Sequence, residues 1–166
     1  MLAGLAGAGT AVLTLAGCAR EGAASGGVTP AATSPAAQLR SERIVEVWKT
    51  PHCGCCKLWI AHLEKNGFTV QGRDIADTSA MRAKLGMPAA LGSCHTAQVG
   101  GYVIEGHVPA SEIKRLLIEK PQARGLSVPG MPIGSPGMEV GDQKDPYDVL
   151  LVLADGSSRV FYSYRA

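Results

Sequence analysis

The feature that most constrains this chain is where its cysteines fall. Cys53-Gly54-Cys55-Cys56 stands at the junction of two different periodicities. Before it, Ile44, Val45, Glu46, Val47 and Trp48 alternate apolar and charged character as a short strand does. After it, Cys56, Trp59, Ile60 and Leu63 recur at i, i+3, i+4 and i+7. That spacing is one apolar face of a helix, which ends before Asn66-Gly67 with Gly67 as its C′ residue. The cluster therefore sits where a strand hands over to a helix.

The alternation continues along the chain. Phe68 to Arg73 reads as a second strand, and Asp77 or Thr78 caps a second helix that carries Met81 and Leu85 and closes at Gly86. After a short loop, Leu91 to Thr96, a third strand is expected over Val99 to His107, interrupted at Gly100-Gly101. Pro109 opens a third helix with Ile113, Leu116 and Leu117 facing inward, and Pro121 stops it. Residues 121–146 are rich in Pro and Gly and read as one long loop, which in a small domain points to function or disorder. Val149 to Leu153 and Arg159 to Tyr164 flank Asp155-Gly156, a hairpin signal. Strands alternating with helices imply an α/β fold built on a mixed sheet with crossovers. With a cysteine motif between the first strand and first helix, the expected fold is thioredoxin-like, a mixed sheet flanked by helices with a C-terminal β-hairpin.

The front end has a different character. Residues 1–18 are an apolar stretch of small residues ending Leu15-Ala16-Gly17-Cys18, which reads as a secretory signal whose last four residues resemble a bacterial lipobox. No Lys or Arg precedes that run. Residues 19–42 are dominated by Ala, Gly, Ser, Thr and Pro without apolar periodicity, as in a flexible tether. The domain proper is expected over 43–166. These features predict a periplasmic or envelope location, with membrane contact only through a lipid at Cys18. The net charge of +2 is too small to argue for nucleic acid.

Three thiols within four residues at a helix start feel the positive end of the helix dipole and its unpaired N–H groups, which favours thiolate. Thiolate both ligates soft metals and attacks disulfides. Cys53 and Cys56 form a C-x-x-C pair suited to exchange, but Cys55 is a third thiol that exchange does not need. The trio is better explained by Cu(I), alone or as a bridged cluster, which accepts low coordination by sulfur. Zinc is the weaker fit because it wants a closed set of four ligands. A plain disulfide staple is the bland alternative. Gly54 is expected to ease close approach of the sulfurs, and His52 adds an imidazole beside them.

Further candidates lie downstream. In this topology Cys94 faces the trio, with His95 as a ligand or as an orienting partner. His107 is a weaker candidate, and His62 reads as solvent-facing polarity. Met131 and Met138 each close a Pro-Gly-Met turn, and thioether sulfur suits Cu(I). Packing the loop down explains them equally well. Met81 and Met87 read as core.

Several motifs together resemble a known family. Thr50-Pro51-His52-Cys53-Gly54-Cys55-Cys56, Ser93-Cys94-His95-Thr96, Tyr102 through Glu105-Gly106-His107-Val108-Pro109, and Gly125-Leu126 through Pro129-Gly130-Met131-Pro132 to Ser135-Pro136-Gly137-Met138-Glu139 are similar to the CopG-like copper-resistance family of exported metal-binding proteins. The resemblance runs from about Ile44 to Tyr164. It implies a thioredoxin-like fold, an envelope location and copper as the bound metal. It carries a ligand role to Cys53, Cys55, Cys56 and Cys94, and less directly to His52, His95, His107, Met131 and Met138. Copper ions and other envelope copper-handling proteins are the implied partners. Storage, delivery and redox conversion of copper, the last making the chain a thiol–disulfide or copper oxidoreductase, all stay open.

Overall fold

The computed structural model describes residues 43–165; the expected signal segment 1–18, the tether 19–42 and Ala166 lie outside the described residues. The described chain forms one seven-stranded mixed sheet in the order β2-β1-β3-β4-β5-β6-β7. Strand β1 (Ile44–Lys49) leads into helix α1 (Gly54–Lys65) and then β2 (Thr69–Asp74). β1 and β2 are parallel, a pairing that requires a crossover, here α1. Helix α2 (Thr78–Lys84) and a 3-10 turn at Ala89–Leu91 connect to β3 (His95–Val99), which lies antiparallel to β1. β4 (Tyr102–Glu105) pairs antiparallel with β3, and α3 (Ala110–Glu119) crosses to β5 (Gly125–Ser127), parallel to β4. β6 (Tyr147–Val152) and β7 (Ser158–Tyr164) complete the sheet as the expected C-terminal hairpin. The fold is α/β and thioredoxin-like, widened at one side by β5, β6 and β7.

The core lies between the sheet and the inward faces of α1 and α3. Cys56, Trp59 and Leu63 are buried, as the spacing predicts, and so are Ile113 and Leu116 of α3. The Trp59 indole N–H donates to the Val108 carbonyl at 2.8 Å. That bond pins α1 to the segment leaving β4, the segment that also carries His107.

Two expectations change. The single strand over Val99 to His107 is instead a turn between two strands, and His95 begins the first of them rather than lying in a loop. Val99 pairs directly with Tyr102 across Gly100 (φ +54°) and Gly101 (φ +85°). Positive φ at both central residues is the geometry of the tight hairpin turn whose twist matches the strands. Leu117 leaves no room at Gly100, where a Cβ would sit 2.5 Å from its Cδ2. The supposed loop 121–146 also contains β5. This strand is three residues long and wholly buried, so it shows no alternation from which to read it. Gly125 is required there by space: a Cβ would come within 1.7 Å of the Val103 carbonyl oxygen.

Helix α2 starts as predicted, with Asp77 accepting from the Ser79 N–H at 2.8 Å. It buries none of its residues, so Met81, expected in the core, is half-buried. Met87, just beyond the helix, is in the core.

Candidate metal centre

The cysteine cluster occupies the first turn of α1. Cys53 is the N-cap residue, with extended backbone, and its carbonyl accepts the Lys57 N–H at 3.4 Å. Gly54 is the first helical residue. A Cβ there would meet nothing within 4 Å, so close approach of the sulfurs does not need this glycine, contrary to expectation. Cys94 comes from the segment entering β3, opposite that turn, as the topology predicts.

Four sulfur atoms converge, all within 4.8 Å of one another. Cys53 and Cys56 are joined as a disulfide, while Cys55 and Cys94 are free thiols. Cys55 Sγ lies 3.5 Å from Cys53 Sγ and 3.9 Å from Cys94 Sγ, and Cys94 Sγ lies 3.6 Å from Cys56 Sγ. The structure is thus the oxidised form of the embedded C-x-x-C pair.

Two imidazoles extend the cluster on the Cys94 side. His107 is fully buried, with Nδ1 at 2.8 Å from the Pro136 carbonyl oxygen and Nε2 at 3.1 Å from Cys94 Sγ. A carbonyl can only accept, so the proton is assigned to Nδ1 and the Nε2 lone pair faces the sulfur. A ring nitrogen left bare by a hydrogen bond at the other nitrogen is the usual arrangement of a metal-ligating histidine. The sequence had ranked His107 below His95; the geometry brings both rings to Cys94. His95 is also fully buried, with Nδ1 3.2 Å from Cys94 Sγ, its ring against Trp59 at 4.3 Å between centroids, and Nε2 buried without a partner. The ligand atoms of Cys94, His95 and His107 form a second set within 4.8 Å.

The oxidised state leaves Cys94, which lies off the helix start, as a thiol. Burial, together with the adjacent Cys55, pushes the Cys94 thiol up to about 12. Its surroundings do not make Cys94 a thiolate by themselves. A cation can, because coordination deprotonates a thiol outright. Burial also lowers the pKa of His107 and brings that of His95 down to about 3, so both rings are neutral, the form that ligates metal.

The remaining candidates divide. His52 stands exposed on the turn before Cys53 and belongs to neither set of converging ligand atoms. Met131 is exposed and Met138 half-buried. Their turns flank the two cysteine segments. Gly130 N–H donates to the Gly92 carbonyl at 3.1 Å and the Ser93 hydroxyl donates to the Gly130 carbonyl, tying the Met131 turn to the Cys94 segment. Gly137 packs on α1 so tightly that a Cβ would sit 2.7 Å from both the Cys55 carbonyl oxygen and the Trp59 nitrogen.

The roles of some site residues went unnoticed in the sequence. Glu105 is fully buried; its Oε1 accepts from Arg82 Nε at 2.8 Å and from the Ser93 N–H at 2.7 Å, and its Oε2 accepts from the Thr96 hydroxyl at 2.7 Å. Arg82 Nη2 donates to the Ser93 carbonyl at 2.6 Å. The carboxylate therefore holds the Ser93 backbone and the Thr96 side chain, on either side of Cys94 and His95. The available signal was an acid directly following Val103-Ile104 in a strand. His62, expected to face solvent, is half-buried, and its Nε2 accepts the Ala110 N–H at 3.1 Å. It serves the first turn of α3, where Pro109 offers no side-chain cap.

Residues 91–138 match the profile of a family described as protein of unknown function, DUF411. Two solved structures, described as copper resistance protein CopG, form 2 and form 1, are similar at 47% and 46% identity. Each match covers 74% of this chain and 98% of the other, with a TM-score of 0.71. The chain belongs to the CopG-like copper-resistance family. Among curated protein sequences none matches it. The CopG structures share the α/β architecture described above, so membership rests on fold and sequence together.

Proposed function

We propose that the chain is an exported copper-handling protein that takes Cu(I) as cargo on Cys53, Cys55, Cys56 and Cys94. The observation that carries this reading is the convergence of four sulfur atoms within 4.8 Å, contributed by two separate segments. Thiolates select Cu(I) over harder cations. The bare Nε2 of His107 beside Cys94 offers a further donor, and Met131 and Met138 supply thioethers on the turns at either side. The relatives' description as copper resistance proteins supports copper over zinc. An envelope location, with lipid attachment at Cys18, fits a protein that forms a disulfide.

Using all four cysteines requires the Cys53–Cys56 bond to open, which takes up two electrons and two protons. The test is Cu(I) affinity of the reduced chain against a Cys53→Ser/Cys56→Ser variant. The reading expects the variant, which keeps only Cys55 and Cys94, to hold fewer Cu(I) ions and to hold them less tightly; equal capacity and affinity would end it.

The disulfide itself favours a second reading, a thiol–disulfide or copper oxidoreductase. Two Cu(I) ions passing to Cu(II) would supply the two electrons that open the bond. This reading expects Cys53 and Cys56 to cycle with a defined potential. If neither a dithiol nor Cu(I) turns the pair over, it falls.

A further inference from the structure

Disulfide formation spends two of the four cysteines and leaves Cys55 and Cys94 as thiols, both half-buried and 3.9 Å apart at sulfur. We propose that Cys55 and Cys94 form a Cu(I) site of their own that operates while the Cys53–Cys56 disulfide is intact. The disulfide then sets the capacity of the centre instead of closing it. The inference rests on the copper reading above and refines it.

The geometry suits such a site. Metal–thiolate bonds of about 2.3 Å, as for zinc, place two sulfurs about 4 Å apart across a bent metal and about 4.6 Å apart across a linear one. The observed 3.9 Å matches the bent arrangement without rearrangement. The linear one needs a shift of about 0.7 Å by the same bond length. The two sulfurs come from different elements, the first turn of α1 and the segment entering β3. Neither is needed for the disulfide, so both are free to close on a metal. Clamping of the Ser93 backbone by Glu105 and Arg82 steadies the adjoining Cys94, leaving the Cys55 side chain as the adjustable partner. Zinc is poorly served by two thiolates, since it wants four ligands, whereas Cu(I) accepts low coordination by sulfur. Binding is not a redox step. Two S–H bonds give way to two S–Cu bonds, and two protons leave to solvent.

The experiment uses the full chain carrying Cys18→Ser, so that only the site cysteines count. Oxidised protein is first shown by alkylation and mass measurement to hold two free thiols. Cu(I), supplied under nitrogen as its acetonitrile complex, is then titrated against bicinchoninate without any reductant. The proposal expects one Cu(I) per oxidised chain, with the disulfide still present afterwards, and more than one per reduced chain. Cys55→Ser or Cys94→Ser should each weaken binding by the oxidised chain beyond the roughly 10–100-fold that loss of a mere supporting partner costs. A reduced chain that binds Cu(I) beside an oxidised chain that binds none overturns this inference and leaves the copper reading standing. Uptake that occurs only as the disulfide opens also overturns it. If neither form binds, both readings fall together.

Discussion

Replacing Glu105 by alanine should loosen the wall of the site that carries Cys94. In the native chain the carboxylate is fully buried and accepts three hydrogen bonds, one from a guanidinium whose side chain is only 11% exposed. Deletion leaves Arg82 as a nearly buried charge without its counter-ion, and removes the acceptor for the Ser93 N–H and the Thr96 hydroxyl. Breaking a buried pair by removing one partner costs about 3–5 kcal/mol. That is a large share of the roughly 5–15 kcal/mol by which a domain of this size is stable. Glu105→Gln keeps the volume and an acceptor oxygen but gives up charge assistance, so its cost should be about 1.5–3 kcal/mol. Replacing both partners, Arg82→Met with Glu105→Leu, should recover most of the loss, because an apolar pair removes the desolvated charges together. The assay is urea denaturation of the oxidised chain at neutral pH, run beside Cu(I) affinity of the reduced chain. Both should fall in the order wild type, Gln, Ala. A Glu105→Ala chain within 1 kcal/mol of wild type, with Cu(I) affinity unchanged, would refute the claim that this carboxylate holds the Cys94 segment.

Other consequences follow from the same packing. Burial lowers the His62 pKa, and its Nε2 must be unprotonated to accept from Ala110. The stability it contributes is therefore complete above the unfolded value of about 6.5 and is lost as pH falls below it. His107 and His95 act in the same direction, with His95 extending the loss down to about 3. Denaturation midpoints of the metal-free chain should decline from neutral pH into acid, and His62→Gln should flatten the upper part of that decline. Gly137→Ala places a Cβ against α1 backbone at φ +86°. Left-handed strain of about 1–2 kcal/mol and overpacking of about 1–3 kcal/mol should add, seen as a lower denaturation midpoint. The variant should also weaken Cu(I) binding, because the displaced loop carries the Pro136 carbonyl that orients His107. Trp59→Phe should cost about 1–3 kcal/mol by leaving the Val108 carbonyl without its donor.

Much of the fold was legible because its signals are local. The apolar face of α1 follows from spacing alone, and Asp155-Gly156 marked the terminal hairpin before any partner strand was known. The Cys94 encounter followed from topology, since the segment entering β3 faces the helix start in this arrangement. What escaped lacked a local signature. β5 is too short to alternate and owes its place to space freed at Gly125. Gly100-Gly101 looked like an interruption of one strand, because the pairing of Val99 with Tyr102 is visible only once the strands meet. The roles of His107, His62 and Glu105 depend on partners 29, 48 and 23 residues away, separations over which no periodicity carries information. His52 shows that adjacency in sequence is not convergence: next to Cys53, it stands on an exposed turn outside both sets of ligand atoms.

The central claim is that sulfur from two segments gathers around copper. X-ray absorption at the copper edge, on reduced chain loaded with Cu(I) without oxygen and analysed for its metals, tests this directly. The account predicts copper as the bound metal, in the cuprous state, with a first shell dominated by sulfur that thins when Cys94 is replaced by serine. A first shell of nitrogen and oxygen alone, or a chain that retains zinc and refuses copper, would contradict it.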